Sequence, residues 1–418
     1  MSKFIIKNIG PINHIEIQLN RINIFIGPQA SGKSTIAKIL SFCLWYEKYC
    51  VKRQRIDLLK DEKLKTALID YHNIEGYFRD DSYFYYEGKS LIIEFKHKEM
   101  MVKKQDAFYS SSLTKIAYIP SERNIISVPG IFSTKMPNNY ILDFIDDWQS
   151  IRNKYSNDEA KVWLPELHYY YTYDANEKKD CIVSETTGRP FALSQVSSGM
   201  QSIAPLCVMI DYLTDWIYHH SEEQSASDRQ TIQDAAVARV MAKNSQRHNV
   251  LELASIDQQI SEALRSFEDT LHSLLEQTED ISSYPLLKDY KESLDKLSAP
   301  ANSGIVLEEP ELNLFPTTQI QLLYYILSKI DILRDTLVIT THSPYILYAL
   351  NNCMLGALIR KKSDIEINEI VEDIPSQSFI DAGNVSVWEL QDGGIRSGAT
   401  IQDEKGLIRE NYFDGIMQ

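Results

Sequence analysis

Residues 25 to 35 read FIGPQASGKST, a glycine-proline turn, a short run of small and polar residues, and Gly-Lys-Ser-Thr, all directly behind an apolar stretch. Gly27, Pro28, Gln29, Ala30, Ser31, Gly32, Lys33 and Ser34 fit G-x-x-x-x-G-K-[ST] in full, with Thr35 following. The flanks decide the reading. INIFIG before the loop is an apolar strand, and KSTIAKILSFCLWYEKY behind it repeats apolar positions every three to four residues, as a helix does. Strand, loop and helix together predict a phosphate cradle made of backbone N–H groups at a helix N-terminus. Lys33 is expected to neutralise β/γ-phosphate charge and the Ser34 hydroxyl to ligate Mg²⁺. A chance glycine turn, the plain alternative, requires neither flank.

A phosphate loop of this kind needs an acid at the end of a later apolar strand. GIVLEEPELNLFP supplies Glu308, Glu309 and Glu311. Adjacent carboxylates behind a buried strand are costly unless they meet a cation or a proton. Glu308 is therefore expected to hold the Mg²⁺ shell and Glu309 to orient or deprotonate an attacking water. The plain reading is an acidic first turn of a helix, which Pro310 and Glu311 would suit. DTLVITTHSPYIL is a further buried strand ending in Thr341-His342-Ser343-Pro344, where open α/β sheets keep their ligands, so His342 is expected near a γ-phosphate. In LSQVSSGMQS, Ser197, Ser198 and Gly199 open a helix and form a second anion site without a lysine. Taken alone that pattern is an ordinary helix cap.

Outside these motifs the chain opens as strands, KFIIKNIG and HIEIQLN, the second alternating with period two. A helical stretch is expected near IDLLKDEKLKTALIDYH, a hairpin over SYFYYEGKSLIIEFKHKE, and a strand in KIAYIPSERN that stops at Pro120. Residues 200 to 220 read as one long helix. A heptad-like stripe follows through Leu253, Ile256, Ile260, Leu264, Phe267, Leu271 and Leu274, and a weaker one through Leu287, Tyr290, Leu294 and Leu297. These predict a helical arm. The tail NVSVWELQDGGIRSGATIQDEKGLIRENYFDGI reads as a strand, a glycine turn and a short helix.

The 418 residues carry a net charge of −15, unlike a protein that lives by non-specific DNA binding. Local basic runs, Lys52, Arg53 and Arg55 or Lys96, Lys98, Lys103 and Lys104, leave a DNA contact open but read first as solvated faces. The start MSKFIIKNIG has no apolar leader region, and no stretch of eighteen or more apolar residues appears, so a cytoplasmic protein without a membrane segment is expected. The five cysteines are scattered with no C-x-x-C pair, which suits a reducing compartment.

The order of the four motifs resembles the ATP-binding cassette ATPases of the SMC, RecF and OLD type. GPQASGKST is similar to Walker A, VSSGMQS to the signature motif, VLEEPELNLFP to Walker B with its D-loop, and ITTHSP to the switch-histidine loop. KNIGPI is similar to the N-terminal strand and turn of that group, and YIPSER stands where its Q-loop segment would. The resemblance implies an α/β P-loop head of ABC type with an N-terminal antiparallel β subdomain and an inserted helical arm. Its implied divisions are 1–220, an N-terminal lobe; 221–302, the arm; and 303–418, a C-terminal lobe. It further implies ATP and Mg²⁺ as cofactors, with two heads sandwiching two nucleotides so that Ser197, Ser198 and Gly199 of one head complete the site of the other. Glu308 stands where the group usually has aspartate, which lengthens its reach to the metal.

More narrowly, the chain resembles standalone bacterial ATPases of anti-phage defence systems of the Septu, PARIS and retron-associated kind. That implies a homodimer or higher homo-oligomer controlling a separate effector, a nuclease above all. After His342 about 75 residues remain, too few for the nuclease domain of OLD-type relatives, so no nuclease is expected in the chain itself. A RecF/SMC-like DNA-repair ATPase and an ATP-bound scaffold with little turnover are the alternatives. DNA-stimulated hydrolysis would mark the first and absent turnover the second.

Overall fold

The structure, a computed structural model, describes residues 2–59, 62–156, 160–220, 224–248, 284–362 and 374–414. The strands in chain order are β1 (Ser2–Ile9), β2 (Ile12–Leu19), β3 (Ile22–Ile26), β4 (Phe78–Glu87), β5 (Leu91–Lys96), β6 (Glu99–Lys104) and β7 (Leu113–Ile119). Then come β8 (Val162–Leu164), β9 (Tyr169–Asp174), β10 (Lys179–Ser184), β11 (Pro190–Ala192), β12 (Pro300–Glu308), β13 (Thr336–Thr340), β14 (Val385–Gln391) and β15 (Gly394–Ile395). The longer helices are α1 (Lys33–Arg53), α2 (Tyr140–Arg152), α3 (Ser198–Asp211), α4 (Ala226–His248), α5 (Pro285–Ser298), α6 (Pro316–Lys329) and α7 (Pro344–Lys362).

Eleven strands form one sheet in the order β6-β5-β4-β1-β2-β15-β14-β3-β13-β12-β7. The half from β14 to β7 is parallel. Every residue of β3 is buried, as a strand covered on both faces requires. Its alternation sorts the two cores. Ile22, Ile24 and Ile26 pack with Ile203, Leu322 and Ile346 of α3, α6 and α7 on one face. Phe25 packs with Ile36, Ile232 and Leu287 of α1, α4 and α5 on the other.

The antiparallel strands expected at the N-terminus are present as β1, β2, β4, β5 and β6. They continue into the parallel half, because the C-terminal hairpin β14–β15 pairs with β3 through one strand and with β2 through the other. A separate antiparallel sheet, β11-β10-β9-β8, precedes α3.

Three local expectations change. The tail's short helix is a single 3-10 turn, Arg396–Gly398, among the described residues, since Gly398 and Gly406 adopt left-handed φ values (66° and 79°) that interrupt helix. The segment near residue 62 is helical but runs into a π turn, Lys65–Asp70. The weaker apolar stripe is core of the head: Leu287, Tyr290 and Leu297 are fully buried and α5 packs on α4, which in turn packs on α1. The stripe from Leu253 to Leu274 lies outside the described residues. No described helix is long and apolar enough to cross a membrane.

Candidate functional site

Register brings the chemistry together. Glu308, the last residue of β12, lies opposite Thr340 at the end of β13, and Thr340 lies opposite Phe25 near the end of β3. The 27–35 loop, the Glu308 turn and the Thr341–His342 turn thus leave the same edge of the parallel half, at the carboxyl ends of its strands.

The loop has little freedom. Gly27 has φ 145° and a Cβ there would sit 2.3 Å from Leu390 O; Gly32 has φ 101° and its Cβ would lie 2.7 Å from Ile12 Cγ1. Gly32 caps α1, so the first N–H groups of the helix have no partner inside it and are free for an anion. Pro28 is half-buried, Gln29 and Ala30 are exposed, and Ser31 and Thr35 are buried. Lys33 is 4% exposed. Its Nζ donates to the carbonyls of Gly27 (2.9 Å) and Pro28 (2.8 Å) and to Ser31 Oγ (3.3 Å). Burial lowers its pKa to about 8, with Glu309, Glu311 and Glu308 opposing the shift. An amine held against carbonyls of its own loop is poised to exchange them for a stronger anionic acceptor.

Glu308 is 4% exposed, and its Oε1 lacks a hydrogen-bond partner. Burial raises its pKa to about 7 against the pull of Lys38. An orphaned, buried carboxylate oxygen at a strand end fits a cation. Mg²⁺ takes few protein ligands and keeps waters and phosphate oxygens, so one such carboxylate and a hydroxyl would serve it. Ser34, half-buried at the start of α1, is the hydroxyl available to it.

Glu309 adopts a left-handed φ of 43°, and its N–H donates to Thr340 O (2.9 Å). The turn sends the side chain toward His342, whose Nε2 is 3.5 Å from Glu309 Oε1. A hydrogen bond with His342 is the main cause that holds the Glu309 carboxyl below its ordinary pKa. Glu311 fastens the histidine's own turn: its Oε1 accepts the His342 N–H at 2.5 Å, while burial pushes its carboxyl up. Gln319 accepts from Ser343 Oγ one residue further on (2.5 Å).

Ser197 caps α3, its Oγ accepting from Met200 N–H (3.4 Å), and Ser197 and Ser198 are exposed. Hydrogen bonds tie this helix to the Glu308 turn, through Asn313 Nδ2 to Ser202 Oγ (3.0 Å) and through Arg123. None among the described residues joins Ser197, Ser198 or Gly199 to the 27–35 loop.

Sequence reading missed Arg123. It is fully buried and donates five hydrogen bonds, all to carbonyls: Pro120, Ser202, Glu308, Glu309 and Pro310. Burial lowers its pKa to about 10. A charged residue immediately behind a buried strand, in YIPSER, was the available signal. Three of the seven residues in the basic runs are ion-paired, Lys52 with Asp228, Arg55 with Asp57 and Lys98 with Asp80, while Arg53 stacks on Tyr49.

The sequence profile of the AAA ATPase domain matches residues 1–301. The chain belongs to the AAA ATPase domain family. It is an ATPase, and the match ends just ahead of the Glu308 turn. No curated protein matches its sequence. Among solved structures, the ATPase is similar to the SMC head domain from Thermotoga maritima (10% identity, covering 83% of this chain and 90% of that one, TM-score 0.36). It is also similar to the recombination mediator protein RecF (11% identity, 94% and 96%, TM-score 0.28). An ATP-binding cassette of an ABC transporter aligns with 9% identity over 94% and 90%, TM-score 0.26.

Proposed function

We propose that the ATPase binds ATP with Mg²⁺ on residues 27–35 and hydrolyses it with Glu309 as the base, two heads closing on two nucleotides. The observation that carries this is the in-register alignment of three strand ends, which groups Lys33, Glu308, Glu309 and His342 on one edge. The N–H groups of Gly32 to Thr35 and the Lys33 ammonium hold the β/γ-phosphates. Ser34 and Glu308 would hold Mg²⁺, which when bound neutralises developing charge on the phosphate oxygens. Glu309, kept ionised by His342, takes the proton of the attacking water, and His342 then sits beside the γ-phosphate. Ser197, Ser198 and Gly199, which have no lysine of their own, complete the site of a second copy.

In this reading nucleotide closes a homodimer and hydrolysis opens it, so the chain is a cytoplasmic switch with lobes 1–220 and 303–418 and an arm within 221–302. The assignment to anti-phage defence, with a separate nuclease effector, is supported by the motif resemblance set out above. Affinity capture from the native host with mass spectrometry tests it. A co-purifying nuclease supports the reading, and strong stimulation of turnover by DNA with no such partner contradicts it.

A further inference from the structure

We propose that Arg123 is a positioning residue that couples the helix opened by Ser197–Gly199 to Glu309, so that nucleotide held by one head of the pair sets the hydrolytic competence of the other. The inference rests on the paired-head reading above and deepens it.

The guanidinium spans three segments. Its Nε donates to Ser202 O in α3 (3.1 Å). Nη1 donates to Pro120 O (3.3 Å) and Glu308 O (3.0 Å), and Nη2 to Glu309 O (2.9 Å) and Pro310 O (3.1 Å). The planar fork thus holds the second turn of α3, directly behind Ser197–Gly199, and the turn that carries Glu308 and Glu309 at a fixed separation, which a flexible point charge cannot do. All five acceptors are neutral carbonyls, and the Glu311 and Glu309 carboxylates nearby favour the charge without an ion pair to it among the described residues. A buried charge held this way is an expensive means of gluing two segments, and an apolar contact would hold them at lower cost. What the fork adds is direction.

Glu309 makes that direction matter. Its left-handed φ of 43° is a conformation that non-glycine residues adopt at a cost, held by its N–H on Thr340 O and by Arg123 on its own carbonyl. Shifting Ser202 shifts the guanidinium, and the guanidinium bears directly on the peptide that aims the Glu309 carboxylate. Asn313 braces the same joint: its side chain reaches Ser202 Oγ, and its carbonyl lies 3.0 Å from where a Gly199 Cβ would be. Nucleotide pressed on Ser197–Gly199 by a partner therefore has a short rigid path to the base of this head's own site.

Arg123→Lys keeps the charge and loses the fork; Arg123→Gln leaves no charge to strand. Either is scored if it melts close to wild type. The expected result is ATP affinity within about twofold of wild type, kcat lower by on the order of tenfold, and loss of the sigmoidal dependence of rate on ATP. A folded variant with unchanged kcat and sigmoidicity overturns the proposal. So does loss of the folded state in both variants, which would assign Arg123 to stability alone. Wild-type protein whose rate is not sigmoidal in ATP likewise overturns the coupling, whereas Glu309→Gln that stays monomeric in saturating ATP contradicts the paired-head reading itself, so the two failures are distinguishable.

Discussion

His342 Nε2 and Glu309 Oε1 are 3.5 Å apart, each on the first turn beyond neighbouring parallel strands. The pair works because register fixes it: Glu309 N–H is bonded to Thr340 O, two residues before the histidine. Since the contact with His342 is the main cause of the lowered Glu309 pKa, removing it lets that carboxyl rise toward its ordinary value. A base must be ionised to act, so His342→Ala should move the acid limb of the kcat–pH profile to higher pH and reduce kcat by about 10²-fold. A profile that keeps its acid limb in place would remove Glu309 from that role.

Lys33 gives a second pH signature. In the free protein its pKa is lowered to about 8, chiefly by burial, and ATP favours the charged form. Binding must therefore take up a proton as pH rises through 8. Affinity should weaken toward about tenfold per unit well above that value. Calorimetry in two buffers of different ionisation enthalpy checks the uptake directly. Lys33→Ala should abolish ATP binding.

Gly199→Asp should separate folding from closure. A carboxylate in the first turn of α3 suits the helix dipole, against the tight approach of its Cβ to Asn313 O. The same carboxylate would oppose a γ-phosphate brought by a second copy. Thermal melting within a few degrees of wild type, unchanged ATP binding and no ATP-driven dimer are expected. Mixed with Lys33→Ala protein it should regain turnover, because one composite site of the mixed dimer is intact.

The inserted region has two parts with different consequences. Ile232, Val237 and Val240 of α4 and Leu287, Tyr290 and Leu297 of α5 are buried in the core that covers α1. Removing residues 225–300 should cost at least about 5 kcal/mol, a large share of the stability of an ordinary domain. Removing only 249–283 with a short linker keeps both of these buried faces and should leave ATP binding intact. Chemical denaturation of both deletions checks this.

The parallel core and its edge were legible because their signals are local: a glycine loop between strand and helix, acids and a histidine at the ends of apolar runs. The stripe through Leu287 and Leu297 was ambiguous in principle, since an amphipathic helix carries the same spacing whether it meets a partner helix or its own core. The joining of the two sheet halves by β14 and β15 depends on a strand of two residues, Gly394 and Ile395, too short to announce itself. Arg123 left only its charge in YIPSER as a signal, for a different reason. Its importance lies in five carbonyls contributed by residues 120, 202, 308, 309 and 310, and carbonyls are common to every sequence.

The central claim is that Glu309 is the base of a site completed by a second copy. Glu309→Gln keeps the side-chain volume and cannot accept the water's proton. Its mass in saturating Mg²⁺–ATP, read by light scattering behind a sizing column, is the most direct measurement. The account predicts twice the monomer mass in ATP, monomer in ADP, and turnover lower by about 10²–10⁴-fold. ATP-saturated Glu309→Gln that stays monomeric, or that hydrolyses at the wild-type rate, would contradict it.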